Sequence, residues 1–179
     1  MSTDQNLQQK MNDRITNLLH LMGVFREDFH SLLDLEGDTP FWRRSFIRLC
    51  VPCFEGQTNC LIEICALSHE CQNAVLLTKR EKMIFGKCRE KLSLKERIKY
   101  TLRVTYKLLE LDTLPDFNAC EWHRLAEVFD KRNALTHPKK LADLEISDSS
   151  FGEIKNDVVW LLKQFDNIFI FFEGKNKYV

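Results

Sequence analysis

The chain has 179 residues, with 26 Lys or Arg against 26 Asp or Glu. The zero formal charge argues against a protein that coats nucleic acid indiscriminately. One domain is expected at this length, with enough chain to bury a core without disulfides or metal. Six Gly and four Pro are too few to punctuate a turn-rich β architecture. No apolar run is long enough for a membrane-spanning helix, and the polar start from Met1 to Lys10 has no signal-peptide core, so a cytoplasmic protein with no membrane contact is expected.

The apolar residues recur at helical steps. Residues 1–11 read as a polar extension, and Ile15, Leu18, Leu19, Met22, Phe25, Phe29, Leu32 and Leu33 then form one stripe from about Asn12 to Leu35. Gly37, Asp38 and Thr39 break it. Thr39 suits an N-cap with Pro40 at the first helical position, and Phe41 to about Ser68 is apolar on most faces, as a central helix would be. Its first turns carry Arg43, Arg44 and Arg48, and Pro52 should kink it. A less regular stretch covers Gln72 to Leu92.

Ser93 and Glu96 have capping-box spacing, and Ile98, Leu102, Thr105, Leu108 and Leu109 continue a helix to about Leu111. Asp112 to Asn118 is a loop containing Pro115. The next helix starts near Ala119, with Trp122, Leu125, Val128, Phe129 and Leu135 inward, and ends before Pro138. Ser150 and Glu153 form a second capping-box pair for a long last helix. Its face is widened by Val159, Trp160, Ile170 and Phe171, which points to deep burial or a subunit interface. The whole reads as an all-α, up-and-down bundle of about five helices over residues 12–173, followed by a short tail at 174–179.

Seven cysteines are present, five of them between Cys50 and Cys71. A zinc reading would use Cys50, Cys53, Cys60 and one of Cys65, His69 or Cys71. The segment lacks a second closely spaced pair, however, and reads as continuous helix, so buried thiols are expected and no metal or other cofactor.

Charge is unevenly distributed. Lys79 to Lys107 contains eleven Lys or Arg and three Glu, so this segment carries +8 and the remainder −8. Lys95, Arg97, Lys99 and Arg103 would then offer a basic face to RNA phosphates, joined by Lys139 and Lys140 further on. The alternative is a solvated helix that pairs with acidic neighbours.

The densest chemistry is Arg132-Asn133-Ala134-Leu135-Thr136-His137-Pro138. Asn133 and His137 share a helix face, whereas Arg132 and His137 point about 140° apart on a straight helix. Pro138 disfavours helical backbone at His137, which frees the imidazole to swing toward Arg132. Imidazole exchanges a proton near neutral pH, and guanidinium matches phosphate oxygens. Together they suit RNA cleavage by the 2′-hydroxyl without a metal.

This stretch resembles the R-x4-6-H signature, often RNxxxH, of the HEPN superfamily of four- and five-helix bundles. The preceding Trp122 helix, the capped last helix, and Phe41-Trp42-Arg43-Arg44 leading to Phe54-Glu55-Gly56 resemble that family too. The resemblance implies a metal-independent endoribonuclease of a toxin or antiphage defence system, acting as a homodimer whose two motifs form one composite cleft. Arg132 and His137 would be catalytic and Asn133 supporting. Glu55 would either face the cleft or serve as a buried partner of Arg48 or Arg132. The superfamily also implies an alternative, a non-catalytic binding or regulatory module that partners a nucleotidyltransferase, an antitoxin or another defence protein.

Overall fold

A computed structural model of the chain describes residues 3–35, 37, 39–71 and 76–176. Five long helices account for most of it: α1 Thr3–Asp34, α2 Pro40–Cys71, α3 Leu94–Leu108, α4 Cys120–Thr136 and α5 Asp148–Asn176. Short 3₁₀ turns occupy Glu81–Ile84, Gly86–Lys91 and Leu141–Leu144, and there is no strand among the described residues. The fold is therefore an all-α helical bundle. No described helix is long and apolar enough to cross a membrane.

Local chemistry sets the helix starts. Thr39 Oγ1 accepts the Trp42 N–H at 3.1 Å, so Thr39 caps α2 with Pro40 as its first residue. At α3, Ser93 and Glu96 form the reciprocal capping box. Three starts or ends differ from the sequence expectation. Helix α1 starts at Thr3 rather than near Asn12: no helix breaker interrupts the polar residues 3–11, and Gln9 donates to Asp13 one turn on at 2.9 Å. The cap of α5 is Ser147, whose Oγ accepts the Ser150 N–H, so Ser150 lies inside the first turn rather than before it. The end of α3 comes at Leu108, three residues early, because Glu110 takes a positive φ of 53° and Leu111 N–H returns to the Tyr106 carbonyl.

A left-handed residue with a Cβ costs about 1 kcal/mol relative to glycine. Glu110→Gly is therefore expected to stabilise the protein by about that amount in a urea melt, and a loss of stability would mean that the glutamate side chain holds the turn.

Helix α2 is central and touches the other four long helices. It runs as helix through Pro52. Phe54 is fully buried between Phe29 of α1 and Phe165 of α5, with ring centroids 4.7 and 5.8 Å away. Gly56 allows α1 to approach, since a Cβ there would meet the Phe25 ring at 2.5 Å.

Contacts between side chains give the helix directions. Arg14 meets Glu63, and Phe29 meets Phe54, so α1 and α2 are antiparallel. Glu55 meets Arg97, and Cys65 meets Thr105, so α2 and α3 run parallel. The strict up-and-down alternation thus fails at one connection. There the chain returns along the bundle before α3 starts, held by a second small core in which Leu77, Ile84, Phe85 and Leu92 pack on Ile62, Tyr100, Val104 and Leu108. Residues 72–75 of the stretch expected to be irregular lie outside the described residues.

The consequence for the site is positional. The starts of α2 and α5 and the end of α4 lie toward one end of the bundle, and the start of α3 meets α2 near its middle, where Arg97 pairs with Glu55.

Candidate functional site

Helix α4 places Trp122, Leu125, Val128, Phe129 and Leu135 in the core, as its periodicity requires. Its last turn therefore has a fixed phase, with Arg132 and Asn133 on the side toward α2 and α3. His137 closes the helix: its N–H donates to the Asn133 carbonyl at 3.0 Å, while its φ of −128° and ψ of 62° have already left the helical region, as Pro138 demands.

Three arginines at the start of α2 fasten the connection that follows. Arg43 is buried, bonds the Ile146 carbonyl at 3.0 Å and pairs with Asp148. Arg44 reaches the Leu144 carbonyl at 3.5 Å, and Arg48 donates to the Leu135 carbonyl at 2.5 Å. The last carbonyls of a helix lack partners within it, so Arg48 supplies from α2 the cation that α4 does not carry in its own last turn. Arg48→Met keeps most of the stem and removes the donor. It is expected to cost about 1.5 kcal/mol in urea denaturation and to speed amide exchange at His137; unchanged values would show that water serves that carbonyl as well.

Between α2, α3 and α4 lies a cleft of about 190 Å³ lined by Val51, Glu55, Leu94, Arg97, Phe129, Arg132 and Asn133. Glu55 lines this cleft with Arg132, and its ion-pair partner is Arg97, at 2.7 Å, rather than Arg48 or Arg132. Arg132 donates to Asn133 Oδ1 at 3.1 Å and meets no carboxylate among the described residues. His137 is exposed, is not among the lining residues, and its ring makes no hydrogen bond there. The structure thus joins Arg132, Asn133, Glu55 and Arg97 within one chain and leaves His137 beside them at the open end of α4.

The basic residues divide by helical phase. Lys95, Lys99 and Arg103 recur every four residues, and Lys99 and Arg103 sit over the Phe117 ring at 5.5 and 5.4 Å. Arg97 is turned away from them into the cleft. Lys107 is taken up by Glu81, at 2.7 Å. Burial alone would raise the Glu81 carboxyl, but hydrogen bonds from Lys107 and Thr78 outweigh it and hold the group below the usual carboxylate range. Lys139 and Lys140 are exposed beyond His137, where their backbone N–H groups share Asp143.

The thiols lie apart from this site. Cys50, Cys60 and Cys65 are buried, and burial pushes Cys60 up to about 11 and Cys65 to about 12, so both stay protonated. No group of His, Cys, Asp and Glu with metal-binding geometry occurs among the described residues, which exclude the side chains of His69 and Cys71.

No family model, curated protein or solved structure matches the chain. The chemistry of the site is therefore read from its own residues.

Proposed function

We propose that the protein is a metal-independent endoribonuclease acting as a homodimer. What carries the reading is the division of the motif: Arg132 lines a cleft with Asn133 and Glu55, and His137, five residues on, is exposed outside it. In this reading, one chain alone does not put imidazole and guanidinium on the same phosphate. A second copy docked at this end brings its own His137 to the cleft.

Exposed apolar side chains favour docking there. Phe41 and Leu49, in the first three turns of α2, and Leu141, four residues after His137, are 69%, 51% and 77% exposed. Of the residues that widen the apolar face of α5, Ile170 is exposed while Val159, Trp160 and Phe171 are partly covered. That helix spends most of its apolar surface inside the bundle.

In the reaction, the partner subunit's His137 removes the proton of a ribose 2′-hydroxyl, and the freed oxygen attacks the adjacent phosphorus. The bond to the 5′-oxygen breaks, giving a 2′,3′-cyclic phosphate and a 5′-oxygen that takes a proton from water to become the 5′-hydroxyl, while the imidazolium returns its proton to solvent. Arg132 stabilises the charge gathering on the nonbridging oxygens, and Asn133 holds the guanidinium in place. Lys95, Lys99, Arg103, Lys139 and Lys140 attract the RNA backbone.

Mixing two inactive variants tests the composite site. Arg132→Ala retains His137 and His137→Ala retains Arg132, so mixed dimers contain one complete set. Cleavage that returns on mixing is the expected result. A mixture as inactive as its components, beside an active wild type, overturns the shared site.

A second reading, a binding module that partners a nucleotidyltransferase or a defence protein, is favoured by one observation: the cleft gathers Arg97, Arg132 and Asn133 without His137. It requires that the wild type cut no RNA.

A further inference from the structure

The cleft beside Arg132 holds more positive charge than the RNxxxH stretch supplies. Arg97 enters it from α3. Its Nη2 lies 2.7 Å from Glu55 Oε1, and its Nε is buried without an acceptor. Arg132 spends one N–H on Asn133, which leaves further guanidinium donors. Asn133 accepts that bond through its carbonyl oxygen and is exposed, so its amide N–H₂ remains to donate. Two guanidiniums and an amide therefore converge on one small cleft whose lining includes a single carboxylate.

That carboxylate is poorly anchored. The Glu55 side chain is 39% exposed, and Arg97 is its one ion-pair partner among the described residues. Carboxylate and phosphate present similar pairs of oxygens to a guanidinium fork. A glutamate displaced from Arg97 at this depth regains water readily, whereas the Arg97 side chain, 21% exposed, is mostly covered and has a buried Nε still in want of an acceptor. We infer that Glu55 is the resident counter-ion of an anion subsite built by Arg97 and Arg132, and that an RNA phosphate takes its place.

The ligand class rests on the ribonuclease reading; the subsite itself rests on the cleft. Arg97 becomes a substrate-binding residue, contributed by α3 rather than by the motif helix. Glu55 becomes a brake on binding: by neutralising Arg97 it keeps the empty cleft from retaining stray anions, and only a strand that also engages Arg132 and the lysines outside displaces it.

Calorimetric titration of the full chain with a 2′-O-methyl RNA octamer, at fixed ionic strength, tests this. Such a strand lacks the attacking hydroxyl and is bound without being cut. Glu55→Gln keeps the shape of the side chain and removes its charge, so its binding is expected to be several-fold tighter than wild type. Arg97→Gln is expected to bind roughly tenfold more weakly, and the double variant to match Arg97→Gln. A gain of affinity in Glu55→Gln does not arise from misfolding. Unchanged or weaker binding by Glu55→Gln overturns the proposal, as does wild-type affinity in Arg97→Gln or no binding by wild type. Failure of the ribonuclease reading shows separately, as absent cleavage of ordinary RNA by a protein that still gives this binding pattern.

Discussion

His137→Ala is expected to slow single-turnover RNA cleavage by about 10²–10⁴-fold, the range for loss of a general acid–base group. Arg132→Ala should slow it by about 10²–10³-fold through loss of transition-state charge stabilisation. Neither change should matter much to folding. His137 is exposed and its ring bonds to nothing among the described residues, and the side chain of Arg132 bonds to its neighbour Asn133. The melting temperature therefore separates a chemical effect from a structural one. The two effects should not multiply in the double variant, because both residues act on one transition state. His137→Ala at wild-type rate would remove the imidazole from the mechanism. Arg132→Ala that unfolds would show the guanidinium to be structural.

The second large effect concerns the core. Phe54→Ala should destabilise the protein by about 3–5 kcal/mol, read from the midpoint of urea denaturation. The ring is fully buried and contacts Phe29 and Phe165. Its removal leaves a cavity where α1, α2 and α5 meet. Against a total of about 5–15 kcal/mol for a domain, much of the stability goes. Leu141→Ala is the control: Leu141 is 77% exposed, and its loss should change stability by no more than about 0.5 kcal/mol. A Phe54→Ala cost below about 1.5 kcal/mol would mean that the bundle closes without this three-helix contact.

The two effects separate because scaffold and site use different residues. Trp122, Leu125, Val128 and Leu135 fix the phase of α4 from inside, and the phase decides where Arg132 and Asn133 emerge. Arg43, Arg44 and Arg48 then pin the chain beyond the helix. In sequence these arginines read as a basic start to a helix. Their function is long-range, across 87 to 105 residues, and nothing local signals it.

What was legible follows the range of the interaction. The caps at Thr39 and Ser93 involve residues three apart, so composition and spacing identify them. The sequence does not single out the start of α5, because Ser147, Ser149 and Ser150 are equivalent as caps; the bonds from Arg43 to Ile146 and Asp148 accompany the earliest one. The end of α3 carries no signal in the sequence, because the left-handed position is filled by Glu110, where a glycine would announce the stop.

Helix phase also separates Arg97 from Lys95 and Lys99, two positions to either side. Arg97 lies on the same side of α3 as Thr101, Val104 and Leu108, all buried, so its inward orientation was readable. Its partner Glu55 was not. That pairing depends on α2 and α3 running parallel, and the direction is set by the connection between them and its small satellite core.

The most direct test of the central claim is incubation of purified wild type and His137→Ala with total cellular RNA in EDTA, followed by analysis of the product ends. Fragments ending in 2′,3′-cyclic phosphate and 5′-hydroxyl from wild type, and none from His137→Ala, are expected. Equal fragments from both proteins, or intact RNA with both, would contradict it.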